Sequence, residues 1–208
     1  MVKISIICHD AGGAENIVNW VIKEKNIDFL FFLEGPALSI FKKYIPNLVI
    51  STFEDAIRIP DIILLGTSWE SNLEKKALIY GKRAGKYIIS FLDHWVNYVE
   101  RFFYMGKINL PNELWVVDEY AEGIAKDLFP NLTIKLKKNY YLENIYNYFK
   151  KIKLNKKENN FLSSALFLTE PIKKHSLIKF GDENYYGYNE DSAINFFLEN
   201  LHNLDCKI

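Results

Sequence analysis

Short apolar runs alternate with stretches of helical periodicity along most of this chain. That alternation admits little besides a parallel sheet covered by helices. Residues 3–8, 28–33, 48–51, 61–65, 86–92, 113–117 and 132–136 read as strands. Between them, apolar residues recur three and four apart, as helices require. Ala14, Ile17, Val18, Val21 and Ile22 mark a first helix, and residues 37–44 a second. A short helix capped by Thr52 follows. Leu73, Ala77, Tyr80, Gly81 and Ala84 form the inner face of the next, and Ala121, Ile124, Ala125 and Leu128 that of a later one, with residues 140–151 helical after it. The fold class expected is α/β, a doubly wound parallel sheet.

With 208 residues, the chain holds one full domain and part of a second. Residues 155–160 are polar and without period, which places a boundary there. We expect a first domain over 1–154, a linker over 155–162, and a fragment of a second α/β domain over 163–208. That fragment opens on a strand at 165–168 and is loop-rich to about Tyr188. It closes on a helix capped by Asn189, with Ala193, Phe196, Phe197, Leu201 and Leu204 inward.

Lysine and arginine number 26 and aspartate and glutamate 26, so no global basic field draws nucleic acid. Charge is nevertheless uneven. Residues 135–157 carry eight lysines against the single acid Glu143. This reads as a solvated face, or as a surface for peripheral contact with anionic lipid heads. The two cysteines, Cys8 and Cys206, lie far apart with no metal-ligand spacing, which points to a reducing, cytoplasmic setting. No window approaches the ~20 apolar residues of a membrane span. GxSxG, Walker A, HExxH and GxGxxG are all absent.

Chemistry-bearing residues cluster where strands end, which is where open α/β sheets bind ligands. His9-Asp10-Ala11-Gly12-Gly13 follows the first strand. Its glycines let a backbone approach a ligand, and its acid and imidazole can orient a hydroxyl or take a proton. Gly66-Thr67-Ser68 follows residues 61–65 and offers hydroxyls, or a cap for the next helix. Asp93-His94-Trp95-Val96-Asn97-Tyr98 with Arg101 follows residues 86–92. There Asp93 either holds His94 in one tautomer, accepts a proton itself or caps a helix. Arg101 offers a fork for an anion, and a helical turn would put Asn97 and Arg101 on one face. Trp95, Tyr98 and Phe102 read as core or interface residues. Glu170, after the late strand, faces the same kind of end.

Taken together, these features resemble the N-terminal half of GT-B glycosyltransferases and the related UDP-N-acetylglucosamine 2-epimerases. In those proteins two Rossmann-like domains face each other across a cleft. The resemblance implies a nucleotide-sugar donor and a saccharide acceptor in surface polysaccharide or glycoconjugate assembly, with no cofactor and no bound metal. It implies catalytic roles for His9, Asp10, Asp93 and His94, one of His9, Asp10 or Asp93 being the base. It implies substrate contacts from Gly12, Gly13, Thr67, Ser68, Asn97, Arg101 and Glu170. A second such domain takes well over a hundred residues, so a partner protein or a homo-oligomer is expected to supply the other half. A ligand-binding half without turnover, or a split-enzyme subunit, and a nucleotide-sugar epimerase or hydrolase are the alternatives.

Overall fold

The computed structural model describes residues 2–69, 71–151 and 166–203. The chain divides into two compact units, residues 1–153 and 154–208.

The first unit is an α/β layer structure with a Rossmann-like arrangement. Strands β1 (Val2–Cys8), β2 (Ile27–Leu33), β3 (Ile62–Leu65) and β4 (Tyr87–Leu92) are joined by helices α1 (Ala11–Val21), α2 (Gly35–Tyr44), α3 (Phe53–Arg58) and α4 (Leu73–Arg83). Helix α5 (Tyr98–Phe102) and a two-stranded hairpin, β5 (Phe103–Tyr104) with β6 (Lys107–Ile108), precede β7 (Glu113–Val116). Helix α6 (Glu119–Leu128), β8 (Thr133–Leu136) and α7 (Tyr140–Lys151) complete the unit. Six strands pair in parallel in the order β2-β1-β3-β4-β7-β8.

A strand is expected at residues 48–51, but only a single parallel bridge, Ile50 to Phe31, forms there. The Ser51 N–H donates to Phe31 O at 2.8 Å, while Val49 is 79% exposed. The segment has a strand neighbour on one side alone, and of its apolar residues Leu48 packs on the core while Val49 and Ile50 stay exposed. Counted as a rudimentary strand, it gives the order third, second, first, fourth, fifth, sixth, seventh, which is the doubly wound order with one strand added.

Strand side chains alternate between two cores, as a period of two demands. Ile4, Ile6 and Cys8 of β1, with Leu64, Phe91 and Trp115, pack on Ala14, Ile17 and Val18 of α1 and Phe41 of α2. Ile7, Ile63, Leu65, Ile88 and Leu92 face Ala77 and Leu78 of α4, Phe102 of α5 and Ala121 and Ala125 of α6. Gly81 lets α4 close on the sheet, because a Cβ there would lie 2.6 Å from Ile88 Cδ1 and 2.9 Å from Ile63 Cδ1. The inner face of α4 is Leu73, Glu74, Ala77, Leu78 and Gly81. Tyr80 and Ala84, expected inward, are exposed, as is Leu128 on α6.

Four of the described lysines in the basic run have partners within the unit, Lys150 lying 5.5 Å from the Tyr146 ring centroid. Lys135 pairs with Glu113 at 2.8 Å, Lys138 with Glu143 at 2.8 Å, and the Lys137 ammonium sits 3.9 Å from the Trp115 ring centroid. Lys153, Lys156 and Lys157 lie outside the described residues. Among the described residues no helix is long and apolar enough to cross a membrane.

In the second unit, α8 (Ile172–Phe180) and α9 (Glu190–Glu199) are followed by a 3-10 turn at Leu201–Asn203. The strand expected at 165–168 is corrected: residues 166–168 have no regular structure, and Ala165 lies outside the described residues. Helix α8 stands where a loop is expected. Its apolar residues form no single stripe, but Pro171 before it and Gly181 in the left-handed conformation after it are start and stop signals. Asn189 caps α9 through a capping box with Ser192. The inward face of α9 is only partly covered: Phe197 meets Phe167 at 4.9 Å, Phe196 is exposed, and Leu204 lies outside the described residues.

Candidate functional site

Strands β1, β3 and β4 are parallel neighbours, with Ile7 level with Leu65 and Leu65 level with Ser90. The residues after Cys8, Leu65 and Leu92 therefore leave the sheet at one rim. Connections run from β1 outward to β2 and return to β3 on the other side of β1, so the rim is the topological switch point, where such sheets hold ligands.

His9 and Asp10 form its centre. His9 Nδ1 lies 2.8 Å from Asp10 Oδ1. Asp10 also accepts from Ser68 Oγ–H at 2.7 Å and from the Trp69 backbone N–H at 3.1 Å. Asp10 is the N-cap residue of α1, yet its side chain makes no cap bond. It reaches instead across to the β3 loop. Ser68 donates to Asp10 Oδ1 and Trp69 to Oδ2, so both oxygens act as acceptors and Asp10 is placed to accept from Nδ1–H of His9, the tautomer that in a neutral ring leaves the lone pair on Nε2. Ser68 is itself fixed, its Oγ accepting from Ser71 N–H at 2.8 Å.

The imidazole lies against Gly35, the first residue of α2. A Cβ at Gly35 would stand 2.6 Å from His9 Nε2, and the residue has φ +52°, so its lack of a side chain both permits the turn and makes room for the ring edge that carries Nε2. The loop and helix are tied beneath it by Glu34 N–H to Cys8 O at 3.1 Å and Ala37 N–H to His9 O at 3.0 Å.

Glu74 is a member of the site that sequence reasoning missed. It is 4% exposed in the first turn of α4, and its Oε1 accepts from the His9 backbone N–H at 2.7 Å. Oε2 is buried without a hydrogen-bond partner among the described residues. Burial pushes its carboxyl up from 4.5 to about 7. The signal was present: Glu74 lies three, four and seven residues before Ala77, Leu78 and Gly81, on the buried stripe.

Asp93 leaves β4 with its carboxylate against the first turn of α1, where any Cβ on Gly12 would collide with it. Gly12 and Gly13, expected in a turn, belong to α1 itself. A Cβ at Gly13 would make only ordinary contact with Cys8 Sγ and Gly66 Cα, each 3.6 Å away. Burial raises the Asp93 carboxyl, and the Arg101 guanidinium works against that. Burial likewise pushes the Cys8 thiol well up, leaving it inert.

Arg101 is buried and occupied by the backbone: Nη1 donates to Thr67 O, and Nε to Val96 O at 3.3 Å. Thr67 is also buried, its Oγ1–H donating to Phe91 O at 3.0 Å. These two residues knit the β3 and β4 loops together; the guanidinium does not present an open fork. Asn97 caps α5 in the left-handed conformation and is exposed, whereas Arg101 points inward. His94 is exposed, its Nδ1 accepting from Trp95 N–H at 3.2 Å rather than pairing with Asp93. Tyr98 and Phe102 are core residues, and Trp95 Nε1–H donates to Asp118 at 3.0 Å. Glu170 belongs to the second unit and is exposed. Among the described residues no His, Cys, Asp and Glu cluster has the makings of a metal site.

No family model matches this chain, and neither a curated protein nor a solved structure matches it.

Proposed function

We propose that the first unit is the acceptor-side domain of a glycosyltransferase of GT-B type, acting on a nucleotide-sugar and a saccharide acceptor in surface polysaccharide or glycoconjugate assembly. The observation that carries this reading is the His9–Asp10 pair locked by Ser68 and Trp69 at the switch point. Asp10 orients the imidazole, and His9 Nε2 takes the proton of an acceptor hydroxyl. The acceptor oxygen then bonds to the anomeric carbon from the face opposite the leaving group. The bond from that carbon to the phosphate oxygen breaks, and the nucleotide leaves with the electron pair. Asp10 with its three donors is the orienting group rather than the base.

The Asp93 carboxylate supports the same division of labour. It fills the positive end of α1, the place where a phosphate would otherwise settle. The nucleotide is therefore assigned to a separate donor half, supplied by a further domain, a partner chain or a second copy.

Incubation with labelled nucleotide-sugars, with and without oligosaccharide acceptors, tests the reading. We expect label in a lengthened saccharide, formed only when acceptor is present. Free labelled sugar or an epimerised donor, released at the same rate without acceptor, would instead mark a hydrolase or an epimerase.

A further inference from the structure

A groove begins at Glu34 and Ser71 and runs out between α3 and α4. Its inner cavity, about 470 Å³, has Phe32, Phe53 and Leu73 as floor and Glu34, Ser71 and Asn72 on its walls. Its outer cavity, about 610 Å³, continues past Phe53 and Lys76 to Tyr80. Each volume falls in the range of small-molecule sites. Three rings run along both cavities in series: Phe32 to Phe53 at 5.4 Å and Phe53 to Tyr80 at 6.0 Å, both edge to face. Tyr80 is 51% exposed on a helix whose inner face is elsewhere, so core packing does not account for it.

The polar groups at the inner end are available. Glu34 and Asn72 stand at the N-cap positions of α2 and α4, yet neither side chain makes a cap bond. The groove is also joined to the proposed base. Glu34 precedes Gly35, on which the His9 ring rests, and Ser71 N–H donates to the Ser68 hydroxyl that holds Asp10.

We propose that this groove seats a neutral oligosaccharide of two or more rings, which presents its terminal hydroxyl to His9. The inference rests on the sugar-transfer reading and names the substrate class of that site. Aromatic rings in a row match the C–H faces of successive sugar rings, and a carboxylate beside an amide and a hydroxyl matches ring hydroxyls as donors and acceptors. The ligand is neutral because Glu34 within and Glu54 without offset the cations of the lining, Lys76, Arg58 and Lys86, and leave no strong field of either sign. The outer cations are partly engaged: Lys86 Nζ donates to Arg58 O at 2.8 Å, and Arg58 pairs with Asp55 at 3.4 Å. Two contiguous cavities exceed what one ring fills.

The test is retention of the full chain on an array of neutral, carboxylated, sulfated and phosphorylated saccharides of one to six rings. We expect retention on neutral saccharides, rising from one ring to two or more. Phe53→Ala should lower it at least tenfold. Tyr80→Ala, an exposed position that does not threaten folding, should lower it for the longer saccharides only. Retention of none, retention confined to the anionic saccharides, or retention indifferent to Tyr80→Ala overturns the inference. The two readings fail separately. Groove variants that leave the acceptor KM unchanged while His9→Ala stops transfer sink the groove alone. Groove variants that abolish retention while His9→Ala transfers at the wild-type rate sink the dyad alone.

Discussion

A His9→Ala protein is expected to fold as the wild type does and to lose sugar transfer by about 10²–10⁴-fold, the usual worth of a positioned base. The imidazole is about a quarter exposed and lies over a glycine, so its removal leaves little buried apolar space. Its backbone N–H keeps Glu74 as partner. The loss belongs in kcat, since the proton moves only as the new bond forms. Asp10→Asn should cost a similar factor by another route. The amide would offer its own N–H to Nδ1, which then accepts, and the proton would sit on Nε2, where it blocks the base. Steady-state rates of both variants against wild type, with circular dichroism to show intact folds, check the pair. Full activity in His9→Ala removes the residue from the chemistry.

Glu74→Gln is expected to change how stability depends on pH. The carboxyl titrates at about 7 when folded and near 4.5 when unfolded, because burial penalises the anion. A raised acid pKa means that the native state holds the proton more tightly. Its stabilising contribution is whole below about pH 4.5 and is lost as pH rises through 7. The shift from 4.5 to about 7 corresponds to about 3 kcal/mol. Glutamine keeps an acceptor for the His9 N–H and carries no charge at any pH. Wild-type stability should therefore fall by about this amount between pH 5 and 8, and the variant should hold that part of its stability throughout. Chemical denaturation at a series of pH values measures both. Parallel slopes for the two proteins would show that the Glu74 anion is not penalised by its surroundings.

The parallel sheet and its rim were legible because strand and helix periods are local properties of sequence. Apolar runs ending in His9, Gly66 and Asp93 place three loops at one edge as soon as the strands are parallel neighbours. The roles at that edge were not legible. Arg101 reads as an anion fork, but two backbone carbonyls claim it, and no local pattern reports where a carbonyl of residue 67 will lie. Glu74 belongs to no motif, yet its place on the buried stripe with Ala77 and Gly81 makes it a buried partner of the His9 backbone. Asp93 and His94 are adjacent in sequence and part at the end of β4, one against α1 and the other to solvent. At 48–51 the β pattern is present and the pairing surface is not, so one bridge forms.

In the proposed dyad Asp10 holds a proton on His9 Nδ1 and leaves the Nε2 lone pair to the acceptor hydroxyl. Long-range ¹H–¹⁵N correlation spectra of the protein with labelled histidine, assigned by loss of the signal in His9→Ala, measure this directly at a pH where the ring is neutral. The wild type should show the Nδ1–H tautomer and Asp10→Asn should lose it. A His9 ring protonated at Nε2 in the wild type would contradict it.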